Sequence, residues 1–376
     1  MAKGRSTTTT PAAGRTLVRD MSAGGARGGS VALEFDARTA FEFLVSLVIE
    51  EEPELLPEDT AWLVATREGL SDALRRDLRR AFGDPESGGA EMTMALMPLV
   101  VADRTVRTAA DVVALAGRLA AEDLVVGATC EMDNHTHDES DHDRARLLAS
   151  RALAGDTDAR DELVGSWPER ARPTLRRLLE DPEGELRSLR RVLRAWAERF
   201  ATIESRVARM LERDEATRRS EAADLPVEEV VERVTGGIRF SPDSGLARVI
   251  LAPSYFARPY NYLFGEQDWR MYCYPIADAA LDGDPSALPG ATVRLFKVLG
   301  DETRLRILRL LAGGDLYLTE IAERMGLSKP TVSHHMVLLR AAGLVTVTET
   351  GGLTYYTLRR ERLPDASVEL KRLVGA

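Results

Sequence analysis

Three of the five histidines fall within eight residues, at His135, His137 and His142, in the stretch CEMDNHTHDESDHD that begins at Cys130. Imidazole and carboxylate groups suit zinc and nickel as ligands. A metal sensor that uses these histidines, with Cys130 as a further ligand, is therefore one chemistry that the stretch allows. The same composition is also typical of a polar loop that is simply solvated.

A hydrolytic zinc site is a second interpretation of the same residues. The order His135-x-His137 and then Asp141-His142 resembles the H-x-H-x-D-H signature of metallo-β-lactamases, but two extra residues separate its halves. That signature also needs further histidines downstream, and the next one is His334. The upstream region has no nucleophile motif, glycine-rich phosphate loop or paired-carboxylate signature. We therefore predict no catalytic residue, cofactor or metal, and keep a metal-responsive regulator or an enzyme at the histidine cluster as the alternative.

The other two histidines lie side by side in LSKPTVSHHMVLLR, which predicts a helix with Ser328 as its N-cap and Pro330 in its first turn. A shorter helix, YLTEIAERMG, precedes it, and Gly326 supplies the left-handed residue of a tight turn between the two. In such a helix-turn-helix, the second helix enters the DNA major groove by its N-terminal part. Three apolar residues on its opposite face are predicted to hold it on the core: Val332, Met336 and Leu339.

Hydroxyl groups and a lysine gather where this second helix begins, and such groups suit DNA phosphates and base edges. The residues of this helix that we expect to bind DNA are Ser328, Lys329, Thr331, Ser333, His334 and, at the DNA backbone, Arg340. A hairpin follows in LVTVTETGGLTYYTL, and its glycines allow close approach to phosphate. From this wing we expect contacts by Thr350, Gly351, Gly352 and Tyr355. His335 is predicted to be a packing and hydrogen-bonding residue.

Two more helices precede this unit, in ATVRLFKVLGDETRLRILRLLAGG, and Asp301 is predicted as the N-cap of the second. Their expected core residues are Val293, Phe296, Val298, Leu299, Leu305, Ile307, Leu308 and Leu311. Helices followed by a two-stranded hairpin make a winged helix-turn-helix. From Gly290 onward the chain has 13 Lys and Arg against 9 Asp and Glu, although the whole chain has a formal net charge of −10. This local positive balance indicates a nucleic-acid partner.

The stretch from LFKVLGDETRLRIL to LSKPTVSHHMVLLRAAGLVTV, with the later YYTL, resembles the ArsR/SmtB winged-helix transcription regulators over their full domain length. The resemblance implies a homodimer, usually a repressor, built on residues around Ala291–Leu299 and Asp365–Val374. Metal sensors of this family place a Cys-x-Cys pair in the helix before the turn, where this chain has Tyr317 and Thr319. The terminal segment LPDASVELKRLVGA has no histidine either, so we expect control by something other than metal at those places.

The predicted fold class is mainly α with small β elements. The predicted domains are a disordered basic tail at 1–30, an α-rich regulatory domain at 31–285 with a β element near 235–276, and the winged helix at 290–376. A heptad seam runs from Leu186 to Met210 and allows either a dimerising coiled coil or a central helix packed in its own domain. Few charge pairs flank the seam, which favours packing within the domain.

Two cysteines, Cys130 and Cys273, indicate no disulfide framework and fit a reducing cytosol. We find no run of 18 apolar residues that predicts a membrane span. Together these features predict a cytoplasmic, dimeric transcription regulator without a membrane partner. Its predicted partners are double-stranded DNA, a second copy of itself, and an unknown small-molecule or protein effector.

Overall fold

The structure is a computed structural model. The residues that it describes are 31–48, 57–83, 91–130, 139–167, 169, 172–239, 246–258, 260–266, 268–282, 290–350, 353–363, 367–368 and 370–371. The part within 31–282 is called the N-terminal body below. The remainder is called the winged helix.

The N-terminal body is a helical assembly that begins with a short strand. Its first elements are β1 (Ala32–Phe35), α1 (Thr39–Val48), α2 (Pro57–Glu68), α3 (Asp72–Phe82), α4 (Glu91–Ala102), α5 (Ala109–Arg118) and α6 (Ala121–Cys130). The helices that follow are α7 (Glu139–Leu153), α8 (Thr157–Ser166), α9 (Arg172–Glu180), α10 (Pro182–Phe200), α11 (Glu204–Glu221) and α12 (Val227–Val234). Helix α1, TAFEFLVSLV, is apolar on nearly all sides and lies buried, as expected of a central helix.

The heptad seam lies inside this body. It is divided between α10 and α11, which a turn at residues 201–203 separates. Helix α10 packs against α3, α5, α6 and α9. The seam residues of the two helices that are buried in the common core are Leu186, Leu189, Leu193, Trp196, Phe200, Val207 and Met210. The interpretation as a central packed helix is therefore the correct one, and the buried seam is not available to a second copy of the chain.

A mixed sheet covers one side of the helices. Its strands are β1 and then β3 (Arg248–Ser254), β4 (Tyr262–Gly265) and β5 (Trp269–Pro275), in the order β1-β3-β5-β4. Strands β1, β3 and β5 run parallel, and β4 pairs antiparallel with β5. Ile250 and Met271 face the helical core, whereas Val249 and Tyr272 pack with α12 on the other face. Burial of both faces explains why β3 and β5 are almost continuously apolar.

The winged helix has its own core and its own strands. Its elements are α13 (Gly290–Leu299), α14 (Glu302–Leu311), β6 (Leu316–Tyr317), α15 (Leu318–Met325), α16 (Lys329–Ala341), β7 (Val345–Thr350) and β8 (Leu353–Leu358). Strands β7 and β8 form the predicted antiparallel hairpin, with Val345 opposite Leu358 and Thr350 opposite Leu353. Asp301 caps α14 as predicted, because its carboxylate accepts a hydrogen bond of 2.8 Å from the backbone N–H of Arg304.

A strand from the N-terminal body extends the sheet of the winged helix. Strand β2 (Ile238–Arg239) pairs in parallel with β7, which gives the order β2-β7-β8-β6. The backbone N–H of Val347 donates to the carbonyl of Gly237 at 2.8 Å. Gly237 has φ 120°, and a Cβ atom at this position would lie 3.1 Å from Cγ2 of Thr346. The close approach of the two backbones therefore requires glycine here.

The fold class is confirmed: the described chain is mainly helical, with two small sheets. Two predicted core residues of the winged helix are wrong, because Phe296 and Leu305 are exposed large apolar side chains. Leu295 takes the core position beside Val298 instead. Among the described residues, no helix is long and apolar enough to cross a membrane.

Candidate nucleic-acid interface

Helix α16 begins with a tightly capped first turn. Ser328 has an extended backbone, and its hydroxyl accepts a hydrogen bond of 3.2 Å from the backbone N–H of Thr331. The Ser328 and Thr331 hydroxyl oxygens also lie 2.7 Å apart. Gly326, with φ 67°, turns the chain from α15 into this cap in the left-handed conformation. The cap therefore holds the first turn of α16 in a fixed shape.

The first two turns of α16 expose polar side chains while a second stripe anchors the helix. Ser328, Lys329, Thr331 and His334 are exposed, and Ser333 is half-buried. Residues on the inward face of the helix pack fully into the winged-helix core: Val332, Met336 and Leu339. A rigid helix with hydroxyl, imidazole and ammonium groups on its free face has the donors and acceptors that phosphates and base edges accept.

His335 lies at the edge of this core. Its imidazole is half-buried, and Nδ1 has no hydrogen-bond partner among the described residues. Burial, which disfavours the charged form, lowers the pKa of His335 below its usual value, and the nearby Arg304 and His334 act in the same direction against Asp301. The neutral imidazole is therefore the form that this position favours.

The wing places an aromatic pair beside the hairpin. The Tyr355 ring on β8 meets the Tyr317 ring edge-on, with centroids 5.6 Å apart, and is half-buried. Tyr356 instead points into the core. Thr350 ends β7, but its side chain is not described, and Gly351 and Gly352 lie outside the described residues. For the wing, therefore, the structure gives the register of the strands and the position of Tyr355.

Arg340 does not lie where the sequence predicted. It lies eleven positions, or about three helical turns, after Lys329, so both fall on one stripe of α16, which also carries the buried Met336. The residue is only 9% exposed. It lines a cavity together with residues of the N-terminal body, among them Arg233, Arg258 and Pro275. The last turn of α16 and residues of the body thus border the same cavity, and the burial of Arg340 contradicts its predicted place on the DNA-facing surface.

Tyr317 and Thr319 lie where metal sensors of this family have their Cys-x-Cys pair. The backbone N–H of Tyr317 donates to the carboxylate of Glu320 at 3.3 Å, which helps to begin α15. Within the described ranges, no three His, Cys, Asp or Glu side chains are grouped so that they can hold a metal. The upstream cluster is not tested by this result: His135 and His137 lie outside the described residues, and the side chains of Cys130 and His142 are not described.

A helix-turn-helix and a strand hairpin on one shared core define a winged helix-turn-helix protein. The model of the family "Bacterial regulatory protein, arsR family" matches residues 301–347. The transcriptional repressor SdpR of Bacillus subtilis (strain 168) is 40% identical over 72 residues, which cover 19% of this chain and 80% of that protein. The chain belongs to the ArsR family of bacterial regulatory proteins, and the resemblance predicted from the sequence is confirmed.

Two further proteins are similar over a comparable length. The arsenical resistance operon repressor of Staphylococcus aureus is 39% identical over 71 residues, which cover 19% of this chain and 68% of that protein. The solved structure of reduced HlyU from Vibrio cholerae N16961 is 33% identical, covers 22% of this chain and 87% of that chain, and has a TM-score of 0.19. All these likenesses leave most of the N-terminal body without a counterpart in the matched proteins.

Sequence reasoning missed two features at the junction of the two parts. One is β2, a strand of only two residues that leaves no periodic signal. The other is a group of arginines around Arg340, which come from segments far apart in the chain. The only sequence signal for this group is Arg340 itself, a single charged residue at the end of an otherwise apolar turn of α16.

Proposed function

We propose that this chain is a sequence-specific DNA-binding transcription regulator of the repressor type, and that a ligand or partner of the N-terminal body controls its winged helix. The observation that carries this proposal is the first part of α16. Its exposed polar groups stand on a capped turn, and a fully buried stripe fixes the helix behind them. A repressor role is supported by the repressors among the similar proteins.

The DNA contacts in this proposal come from α16 and the wing. Phosphate and base-edge contacts are assigned to Ser328, Lys329, Thr331, Ser333 and His334, and wing contacts to Thr350, Gly351, Gly352 and Tyr355. Arg340 is no longer included, because it is buried and lines a cavity together with residues of the N-terminal body. A regulator of chromosomal DNA works where that DNA is, so the proposal places the protein in the bacterial cytoplasm.

The proposal also includes a homodimer. Exposed large apolar side chains occur on α13, on α14 and near the chain end: Phe296, Leu305, Leu363, Val368 and Leu370. Exposed large apolar side chains are candidates for an interaction surface. Their elements include both segments on which dimers of this family are built. Two-fold pairing there would place two α16 helices in neighbouring major grooves of an inverted repeat.

The test compares Lys329→Ala with Arg187→Ala, which removes one positive charge from an exposed position on α10. DNA affinity of the full chain is measured by fluorescence anisotropy on a duplex selected from a random pool, over a range of salt concentrations. Lys329→Ala should bind more weakly and lower the salt slope by about one unit, because one phosphate contact is lost. Arg187→Ala should match the unmodified chain. An unchanged slope and affinity for Lys329→Ala would remove α16 from the interface.

A further inference from the structure

We propose that the cavity beneath the last turn of α16 is a binding site for a small oxyanion, a molecule that carries a carboxylate or a phosphate group. This site rests on the proposed function, since it supplies the effector of the N-terminal body. We call it the arginine cavity. Its lining residues come from both parts of the chain: Arg218, Arg233, Val234, Thr235, Gly236, Arg258, Asn261, Pro275, Ile276, Ala277, Arg294, Arg340 and Ala341.

The composition of the lining favours an anion. Five arginines surround the cavity, and none of its described lining residues is an aspartate or a glutamate. The volume is about 180 Å³, well below the roughly 300–1,000 Å³ of pockets for drug-sized molecules. Guanidinium groups present planar pairs of N–H donors that match carboxylate and phosphate oxygens. A phosphate or a short carboxylic acid therefore suits both the size and the chemistry of the cavity.

Four of the five arginines already have acidic partners behind the lining. Asp278 accepts from Arg258 at 2.6 Å and from Arg294 at 2.8 Å, so one carboxylate serves two guanidinium groups. The other two arginines each have a carboxylate partner: Arg218 pairs with Glu221 at 3.1 Å, and Arg233 pairs with Glu229 at 2.9 Å. The pairs with Asp278 are largely buried and hold Arg258 and Arg294 in place, whereas the Arg233–Glu229 pair is exposed to solvent.

Arg340 is different from the other four. Its Nη1 is buried and has no hydrogen-bond partner, and the residue has no ion pair within the described part of the chain. Burial lowers the pKa of the Arg340 guanidinium to about 10, so it still carries its charge at neutral pH. A buried charged donor without a partner is unfavourable and calls for a compensating anion. Arg340 is one of the residues that line the cavity, so an anion bound there would lie beside its guanidinium group.

Asn261 adds a second unsatisfied group to the same lining. Its side-chain nitrogen donates to the carbonyl of Thr235 at 3.1 Å, while its Oδ1 is buried without a hydrogen-bond partner in the described chain. An amide oxygen accepts hydrogen bonds and does not attract an anion. A ligand with a hydroxyl group next to its anionic group would satisfy both Asn261 and Arg340.

Two helix C-termini border the cavity, and their carbonyl groups would oppose an anion if they were free. They are largely occupied. At the end of α12, the carbonyl of Glu232 accepts from the N–H of Gly237 at 2.7 Å. At the end of α16, the carbonyls of Leu339 and Arg340 accept from the N–H groups of Leu344 and Gly343 at 2.9 and 2.7 Å. With these carbonyls occupied and the other four arginines paired with carboxylates, Arg340 is the positive charge among the described lining residues that is left for an anion.

The position of the site explains how it would act on DNA binding. Arg258 belongs to the body, whereas Arg294 lies on α13 and Arg340 on α16. An anion shared among these groups ties the helix that carries the DNA contacts to the body. If DNA-bound and DNA-free chains hold α16 against the body differently, anion binding and DNA binding are linked. Bound anion then changes the affinity for DNA, and bound DNA changes the affinity for the anion by the same factor.

Anion binding is measured first without DNA, by titration calorimetry on the full chain at constant ionic strength. The probes are inorganic phosphate and lactate, a carboxylate with a neighbouring hydroxyl group, with chloride as the reference anion. The variants are Arg340→Met and the control Arg187→Met, which removes an exposed arginine from α10. Phosphate, lactate or both should bind saturably to the unmodified chain and to Arg187→Met, and about tenfold or more weakly to Arg340→Met.

Binding by phosphate alone or by lactate alone identifies which oxyanion the site takes, and either supports the proposal. No saturable binding of either probe, or equal binding by Arg340→Met, would overturn it. Without anion, Arg340→Met should melt at the same temperature as the unmodified chain or higher, because it removes a buried unpaired charge. If Arg340→Met does not fold, Arg294→Met is measured in its place, and full binding by that variant would overturn the site.

The link to DNA is measured separately. The bound anion should change the DNA affinity of the unmodified chain by about fivefold or more, and leave that of Arg340→Met unchanged. Anion binding without any change in DNA affinity would refute the regulatory role. A chain that binds the anion but no DNA would refute the proposed function and leave the site standing.

Discussion

The two ends of α16 carry side chains of similar chemistry in opposite surroundings. Lys329 near the first turn is exposed, whereas Arg340 in the last turn, on the same stripe of the helix, is buried beside the N-terminal body. The stripe that these two residues share also carries Met336, which is fully buried in the winged-helix core, and Lys329 is exposed at the first residue of the helix. At the other end, residues of the body line a cavity together with Arg340. The exposed end of α16 is therefore free to bind DNA, and the buried end is available to a ligand that controls DNA binding.

The largest effect is expected at the apolar residues that anchor α16 in the winged-helix core. Leu339→Ala removes a fully buried side chain and should lower the free energy of unfolding by about 2–5 kcal/mol, because it leaves a cavity in the winged-helix core. Leu147→Ala makes the same change at a 59% exposed position on α7 and should have little effect. Urea unfolding followed by circular dichroism checks both. Equal losses would mean that α16 is not anchored as described.

A smaller loss is expected where the body is joined to the wing. Gly237→Ala places a Cβ against Thr346 at a left-handed position and should cost roughly 1–3 kcal/mol of strain, which weakens the pairing of β2 with β7. The buried end of α16 should then become more accessible. Hydrogen exchange at residues 338–342 measures this.

Gly117→Ala is the matched change, since nothing lies within 4 Å of the added atom and the residue sits in a helix. It should leave exchange in α16 unaltered and stabilise α5 by about 0.5–1 kcal/mol. Unchanged exchange in Gly237→Ala would show that the body does not protect the last turn of α16.

At the exposed end, Ser328→Ala removes the N-cap of α16 and should cost about 1 kcal/mol of stability. Thr108→Ala removes the corresponding cap of α5, where Thr108 accepts from the N–H of Asp111. The two variants should lose similar stability, but only Ser328→Ala should lose DNA affinity in an anisotropy titration. Equal DNA affinity in both variants would take Ser328 out of the interface.

The smallest effect concerns pH at the middle of the helix. The pKa of His335 is lowered by burial, so below the ordinary histidine pKa of about 6.5 the unfolded chain binds more protons than the folded chain. Stability should therefore fall as the pH drops below that value, and His335→Gln should lose part of this dependence. Melting temperatures between pH 7.5 and 5.5 measure it. An identical pH profile in His335→Gln would contradict the assignment.

Features with a local signal were predictable from the sequence. Asp301 and Ser328 are caps that act on a residue three positions later, and Gly326 takes the left-handed conformation that its turn needs. The hairpin followed from alternating apolar residues on either side of two glycines. Each of these features depends on neighbours within a few residues, which a single sequence displays.

Features that depend on distant segments were not predictable. Arg340 was predicted to meet the DNA backbone, but it is buried in a cavity whose lining comes from segments far apart in the chain. Phe296 and Leu305 have the character of core residues, yet their side chains are exposed. The seam from Leu186 to Met210 fitted two folds equally well by spacing, and packing within the body decided between them.

The central claim is that the exposed end of α16 reads DNA as one half of a dimer. The most direct test is selection of duplexes from a random pool with the full chain, followed by footprinting of the recovered sequence. The account predicts an inverted repeat whose half-sites are about one helical turn of DNA, or a multiple of it, apart. It also predicts that Lys329→Ala recovers this sequence poorly. No enriched sequence, or a single asymmetric half-site protected by one copy of the chain, would contradict it.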